Sequence, residues 1–435
     1  MKRKIALGLG CLLIASSLFA CAKKETDNNQ KEDKIEETET VQEEESAESE
    51  EKEPGVAPTY AITSVEAEGY DNFTGKIQCI QITDESHEKL QTAIDALFSD
   101  MVSSFNQSAE AMNNEAVQAN EEMKEYASED SDMTYYETSY SNDISVEVIR
   151  SDYKVFSFVV YNYYYTGGAH GMTDMEGYTF DATTGEQLEL SDFGSEESII
   201  ETAMNFILDT IAESDSTAKA GLYQNDEYSE GYEEIVKGFF TGEDYPAYYL
   251  DNRGIVFIFQ QYTLAPYAAG IITFNVPYSE INGFNEAYIP DDGFYSVELS
   301  TMGLIEKIDV DNDGELDNVY LLNDSYNEEE SENTTEYHLF VNDASVSHEM
   351  EQFGFASGYY IHSLDGNFIL VSSDGIIRLF EVSTGTIKDL GTIETDKTIK
   401  EIKDGEIIFG DLTYTEAGQE WGNTETHKYS KLGFE

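Results

Sequence analysis

Only three cysteines occur in 435 residues, Cys11, Cys21 and Cys79. That number excludes a disulfide-stapled scaffold, so any core must come from apolar packing. Basic side chains are also few, with 24 Lys and Arg against 88 Asp and Glu and a formal net charge of −64. Such a surface repels phosphates, which excludes nucleic acid and anionic lipid headgroups as direct ligands. It favours cations and basic proteins instead. The four C-terminal histidines (His338, His348, His362 and His427) are scattered without metal-ligand spacing, so the tail carries no histidine-built metal centre. Tryptophan occurs once, whereas tyrosine occurs 30 times; hydrophobic residues are 40% of the chain and aromatics 12%. This is enough apolar material for real cores, and the length suggests two or three domains.

The N-terminus orders its residue types as an export signal. Lys2, Arg3 and Lys4 precede an apolar run from Ile5 to Ala20, too short for a spanning helix. The Leu18-Phe19-Ala20-Cys21 segment resembles a bacterial lipoprotein signal, which implies a lipid thioether on Cys21 and cleavage just before it. Residues 1–20 are then a signal peptide, and the mature chain is expected on the extracytoplasmic face of the cell membrane, held there by lipid. Cys11 departs with the signal, leaving Cys79 without a disulfide partner; it reads as a small buried hydrophobe on a strand. Residues 21–56 form an acidic linker, with Glu43-Glu44-Glu45 and Glu50-Glu51 and little apolar content, expected to stay disordered and extended.

From Ala57 the pattern turns globular. Strands are expected at Tyr60–Val65, Lys76–Thr83, Met133–Arg150, Tyr153–Tyr165 and Gly171–Asp181. Asp84 reads as the N-cap of a long helix striped by Leu90, Ile94, Leu97, Met101 and Phe105. That stripe fades into a Glu- and Asn-rich stretch up to Ser131. Glu196–Glu213 reads as a second amphipathic helix, followed by strands at Tyr245–Leu250, Gly254–Gln260 and Gly270–Val276. The fold class is α+β, with antiparallel sheets and amphipathic helices in a module over 57–185 and 186–290. Residues 291–435 read as an all-β domain, with Asp365-Gly366, Asp374-Gly375, Thr384-Gly385 and Asp404-Gly405 as turns. The tail is too short for a closed propeller of full blades; an open sheet, a sandwich or a partial propeller fits.

Two motifs carry chemistry. In Asp309-Val310-Asp311-Asn312-Asp313-Gly314-Glu315-Leu316-Asp317, alternate carboxylates and a glycine suit Ca²⁺, which takes six to eight hard oxygens around a tight turn. Asp309, Asp311, Asp313 and Asp317 would supply side-chain oxygens and Glu315 its carbonyl. Position twelve is Tyr320, so the loop is no full EF-hand, and with strands on both sides it resembles the calcium loops of integrin-type propeller repeats. A structural Ca²⁺ is the expected cofactor. The second motif is Tyr163-Tyr164-Tyr165-Thr166-Gly167-Gly168-Ala169-His170-Gly171.

Together with Phe180-Asp181, Thr184-Gly185 and the block from Gly254 through Tyr262, Ala265-Pro266-Tyr267-Ala268 and Val276-Pro277, this motif is similar to a known module. It resembles the extracytoplasmic module shared by the lysozyme-sensing anti-sigma factor RsiV and the peptidoglycan deacetylase PdaC, a PdaC-type domain followed by domain of unknown function 3298. The resemblance spans about Tyr60 to Ile281. No cytoplasmic anti-sigma segment precedes it, and no histidine-rich deacetylase domain follows, so neither sigma-factor control nor deacetylation carries over. No serine elbow or Cys–His arrangement accompanies His170, and no catalytic residue is assigned. Tyr163, Tyr165 and His170 remain as candidate ligand-binding residues. What the resemblance implies is a lipid-anchored surface protein that binds an extracellular ligand: a basic wall-active protein such as lysozyme, or peptidoglycan. The rival reading is an envelope enzyme acting on wall glycan through an unrecognised site. Metabolic labelling with a fatty acid tests the anchor: label is expected in the wild-type chain and absent from Cys21→Ser, and label retained by that variant contradicts the assignment.

Overall fold

The computed structural model describes residues 55–129, 135–225, 230–242, 245–300, 302–323, 334–351, 354–415 and 418–435. Cys11, Cys21 and residues 22–54 of the acidic linker lie outside the described residues.

Strands β1 (Tyr60–Glu66) and β2 (Phe73–Ile82) form an antiparallel hairpin. The Asp84 carboxylate accepts the Ser86 backbone N–H at 3.1 Å and caps the turn that opens the 42-residue helix α1 (Glu88–Glu129). Leu90, Ile94, Phe98 and Phe105 recur at helical spacing and are buried. Beyond them the apolar stripe thins, yet the helix continues, because Ala109 and Ala116 let it approach closely and Asn120 anchors it. The Asn120 amide donates to Asn72 Oδ1 (3.0 Å) and to the Thr138 carbonyl (2.9 Å), and accepts the Thr138 N–H (2.9 Å). The helix carries the chain back, so β3 (Tyr140–Ser151) pairs with β2 in parallel. This is the one parallel pair among the described strands, where sequence pattern suggested antiparallel pairing throughout. Strands β4 (Val155–Tyr165) and β5 (Met172–Asp181) complete a sheet ordered β1-β2-β3-β4-β5.

Strand β4 is apolar on both faces. Phe156, Phe158 and Val160 pack toward α1 with Ile77, Ile80, Leu90, Ile94 and Phe98. Val159 packs the other way, against Tyr249, Val256 and Ile258. These last belong to a second sheet of β6 (Tyr248–Leu250), β7 (Gly254–Phe259) and β8 (Ile272–Pro277). Every residue of β7 is buried, and its odd positions Ile255, Phe257 and Phe259 face a helical layer. That layer is α2 (Leu190–Phe193), α3 (Glu196–Glu213), α4 (Ser216–Ala220) and α5 (Tyr232–Thr241). The module is thus four layers: helix, five-stranded sheet, three-stranded sheet, helices. Cys79 is a buried free thiol of β2, and burial pushes its pKa up.

The rest of the chain is β. Strand β9 (Tyr295–Glu298) leads to a first meander, β10 (Glu306–Ile308), β11 (Asp317–Asn323), β12 (Thr334–Val341) and β13 (Ala344–Glu351). The second is β14 (Ser357–Ser363), β15 (Gly366–Ser373), β16 (Ile376–Ser383) and β17 (Thr386–Glu394), to which β9 adds beside β14. The third is β18 (Thr398–Lys403), β19 (Glu406–Thr415), β20 (Gly418–Ser430) and β21 (Gly433–Phe434). The middle sheet is buried on both sides: Tyr360, Ile369, Val371 and Phe380 meet the first meander, and Ile361, Phe368, Leu370 and Leu379 meet the third. No helix among the described residues is long and apolar enough to cross a membrane.

A buried ion network ties the module to the β stack. Asp251 accepts the backbone N–H groups of Arg253 (2.7 Å) and Gly254 (2.8 Å) and the Asn275 amide (2.8 Å). The Arg253 guanidinium reaches Asp251 and Glu306, each at 3.3 Å, and all three side chains are nearly buried. Removing one partner of such a network leaves charge without compensation. Asp251→Ala is expected to lower unfolding stability by roughly 3–5 kcal/mol; urea denaturation checks it, and a change below about 1 kcal/mol would contradict the role.

Candidate binding site: an aromatic cluster where two loops meet

Strand β4 ends in Tyr163, Tyr164 and Tyr165, which alternate across the sheet. The chain then turns through Gly167 and Gly168, at φ of 87° and 100°, where a side chain would be strained. The Tyr165 hydroxyl donates to the Gly168 carbonyl at 3.0 Å and closes the turn. Gly171 lies flat on the Tyr163 ring; a Cβ there would stand 2.5 Å from ring atoms. This turn holds His170 at the surface.

The second half of the cluster comes from the connection between β7 and β8. Gln260 and Gln261 bind it to β5: Gln260 accepts the Met175 N–H (3.0 Å) and donates to its carbonyl (2.7 Å), and Gln261 accepts the Thr173 N–H (2.8 Å). The next residue, Tyr262, is left-handed at φ 64°, a conformation that costs a non-glycine residue about 1–3 kcal/mol. Its hydroxyl reaches His170 Nε2 at 3.3 Å. The His170 Nδ1–H donates to the Gly171 carbonyl at 3.0 Å, which leaves Nε2 as the acceptor. The imidazole stacks on Tyr267 with ring centroids 3.8 Å apart, and Tyr267 lies 5.7 Å from Tyr262. Burial, and then the nearby Tyr267, Asp143 and Tyr165, push the Tyr163 hydroxyl above its usual pKa.

Tyr163, Tyr165 and His170 are therefore brought together, and two residues not assigned to the site from sequence, Tyr262 and Tyr267, complete it. Tyr163 and Tyr262 keep 38% and 44% of their surface exposed, so two aromatic rings face outward beside an imidazole. The partners of His170 are a carbonyl, a hydroxyl and a ring. The arrangement offers flat apolar faces and hydroxyls, the chemistry of a contact surface.

The acidic loop forms a second site between β10 and β11. Asn312 (φ 59°) and Gly314 (φ 90°) make the turn. Asp309 accepts the backbone N–H groups of Asp313 (3.1 Å) and Gly314 (2.9 Å), and Asp313 accepts that of Glu315 (2.8 Å). Oxygens of Asp309, Asp311 and Asp317 converge within 4.8 Å of one another. Asp313 lies outside that group, and Glu315 is exposed. Asp317 is also a structural joint: it accepts the Val310 N–H (3.0 Å), the Thr384 hydroxyl (2.9 Å) and the Asn342 amide, linking turns of two meanders.

Residues 66–173 match the family model described as "Deacetylase PdaC", and residues 197–279 match "Protein of unknown function (DUF3298)". Tyr163, Tyr165 and His170 fall in the first segment and Tyr262 and Tyr267 in the second; the acidic loop falls in neither. No curated protein matches the chain. Among solved structures, a DUF3298 family member from Bacteroides fragilis NCTC 9343 is 18% identical, with a TM-score of 0.39, covering 54% of this chain and 96% of its own. A DUF3298 family protein from Pseudomonas aeruginosa PAO1 is 15% identical, with a TM-score of 0.35, covering 55% of this chain and 98% of its own. This chain carries, in order, a PdaC-type segment and a DUF3298 segment, followed by a β-rich region outside both.

Proposed function

We propose that the chain is a lipid-anchored protein of the extracytoplasmic membrane face, whose module binds a basic wall-associated protein such as lysozyme, without acting as an enzyme. The observation that carries the reading is the aromatic cluster. Its five residues come from both matched segments and expose tyrosine rings, and Tyr262 holds a strained backbone to take part. Strain of this kind collects at functional sites. The acidic balance supports a basic partner, through long-range steering that screens over about 10 Å at 0.1 M salt. Peptidoglycan is the second ligand to test, because tyrosine faces also suit sugar rings. The match to a deacetylase family model raises deacetylation as an alternative, but among the described residues His170 meets the Gly171 carbonyl, the Tyr262 hydroxyl and the Tyr267 ring and no carboxylate or second imidazole, which favours binding over hydrolysis.

The test is surface plasmon resonance of the chain against lysozyme, with cytochrome c as a basic control. Wild type is expected to prefer lysozyme, with an association rate that falls steeply as salt rises. Tyr262→Ala with His170→Ala is expected to weaken lysozyme binding by roughly tenfold or more while leaving the weak charge-driven control unchanged. Equal binding to both proteins, or no effect of the substitutions, would contradict the reading.

The acidic loop is read as a structural Ca²⁺ site of the β-rich region, in which Asp309, Asp311 and Asp317 hold the ion. A ligand that binds only the folded state adds about 2.7 kcal/mol at a hundredfold excess over Kd. Asp311 makes none of the loop's hydrogen bonds described above, so Asp311→Ala removes an ion ligand and spares the loop. Thermal melts are expected to rise with calcium in wild type and to be insensitive to it in Asp311→Ala. Equal calcium dependence in the two would contradict the site.

A further inference from the structure

The five-stranded sheet is wider than the three-stranded sheet packed on it. β6–β8 pack mainly on β4 and β5, and beside them residues of β1 and β3 face residues of β9, β14 and β18 of the β-rich region across open space. A cleft of about 930 Å³ remains there, at the upper end of the range for small-molecule sites. Its walls include Tyr60, Tyr161, Tyr359, Glu147, Glu298 and Glu401.

The charges in this cleft are unevenly matched. Arg150 pairs with Asp152 at 2.7 Å, Arg253 with Asp251 and Glu306, and Glu401 with Lys403 at 3.2 Å. Lys400 stands over the Trp421 ring. Glu147 and Glu298 are left without a cation among the described residues. The Tyr161 hydroxyl donates to Glu147 at 3.4 Å, and Tyr359 is the cross-strand neighbour of Glu298. Both carboxyl groups are pushed above the usual range, first by the protein around them, and Glu298 also by the charge on Glu147. Both side chains remain reachable from the cleft opening. Deeper in the lining, Asn275 is 8% exposed, and its Oδ1 accepts no hydrogen bond. Arg150 Nη2 likewise has no partner, a donor suited to a carbonyl oxygen or water.

We propose that this cleft binds a protonated alkylamine, with its ammonium group on Glu147 and Glu298 and its carbon chain along Tyr60, Tyr161 and Tyr359. Tyrosine faces and carboxylates together are the chemistry that holds an organic cation. A metal ion fits less well: among the described residues, Asp309, Asp311 and Asp317 are the group of three acidic or imidazole side chains close enough for one, and none lies in the cleft. A neutral sugar leaves both charges uncompensated. The amine has two sources, a free diamine or a lysine side chain of a bound protein. The site shares no residue with the aromatic cluster, so loss of amine binding in the glutamate variants and loss of lysozyme binding in the Tyr262 and His170 variants are separate results.

The test is calorimetric titration of the full chain with cadaverine, repeated on Glu147→Gln with Glu298→Gln and on Glu298→Gln alone. The acidic linker attracts amines equally in all three, so the difference between them reads the cleft. Wild type is expected to show a saturable one-site component, weakened roughly tenfold or more in the double variant and by less in the single one. The double variant is expected to melt no lower than wild type, because it loses a repulsion along with its ligand. Displacement of cadaverine by lysozyme identifies a protein lysine as the source; binding without displacement identifies a free amine. No saturable component in wild type, or equal affinity across the three proteins, overturns the proposal.

Discussion

Strand β4 imposes the condition that the rest of the module satisfies. It is buried on both faces, with Phe156, Phe158 and Val160 on one side and Ser157 and Val159 on the other. A strand of this kind cannot lie at a surface, so it needs a cover on each side. Helix α1 supplies one cover and the β6–β8 sheet the other. The second cover is contributed by the DUF3298 segment and the strand itself by the PdaC-type segment, so the two share one interior. The aromatic cluster follows from this packing. Once β7 lies across β4 and β5, the connection after β7 runs along the end of β5, where Gln260 and Gln261 attach it, and Tyr262 and Tyr267 arrive beside His170.

Scarce positive charge shapes the rest. With so few basic residues, several are placed where successive regions meet. Arg253 joins the β6–β7 turn to Glu306 of β10, Lys154 reaches the Ile289 carbonyl (2.6 Å) and Asp291, and Lys307 meets Glu213 at the end of α3. These contacts differ in strength. Asp291 and Glu213 are more than half exposed, and water and salt screen such pairs to little net worth. Arg253 is enclosed, so its two carboxylates are required wherever the chain folds this way. With 88 acidic residues against 24 basic ones, most carboxylates go without a cation, and the loop at Asp309 and the cleft at Glu147 both favour positive ligands.

Local pattern was legible where the physics is local. Helix α3 begins and ends at Glu196 and Glu213, as its stripe and the Ser195 cap require, and β4 announced itself as a central strand by its unbroken apolar run. The parallel pairing of β2 with β3 was not legible, because it depends on where a 42-residue helix returns the chain. Nor was the full length of α1, whose second half is held by alanines and Asn120 rather than by a stripe of large residues. At the candidate site, Tyr163, Tyr165 and His170 stood out in one block and Tyr262 and Tyr267 in another. Their meeting depends on a pairing of sheets that no local window contains. Glu147 and Glu298 carry no local signal at all in a chain with 88 acidic residues.

Hydrogen–deuterium exchange of the full chain with and without lysozyme tests the central claim most directly, that one recognition surface is built from both matched segments. The account predicts slower exchange on binding in two separate stretches at once, Tyr163 to Gly171 and Gln260 to Gly270, with the acidic linker little changed. Protection confined to the linker, or to one of the two stretches, would contradict it.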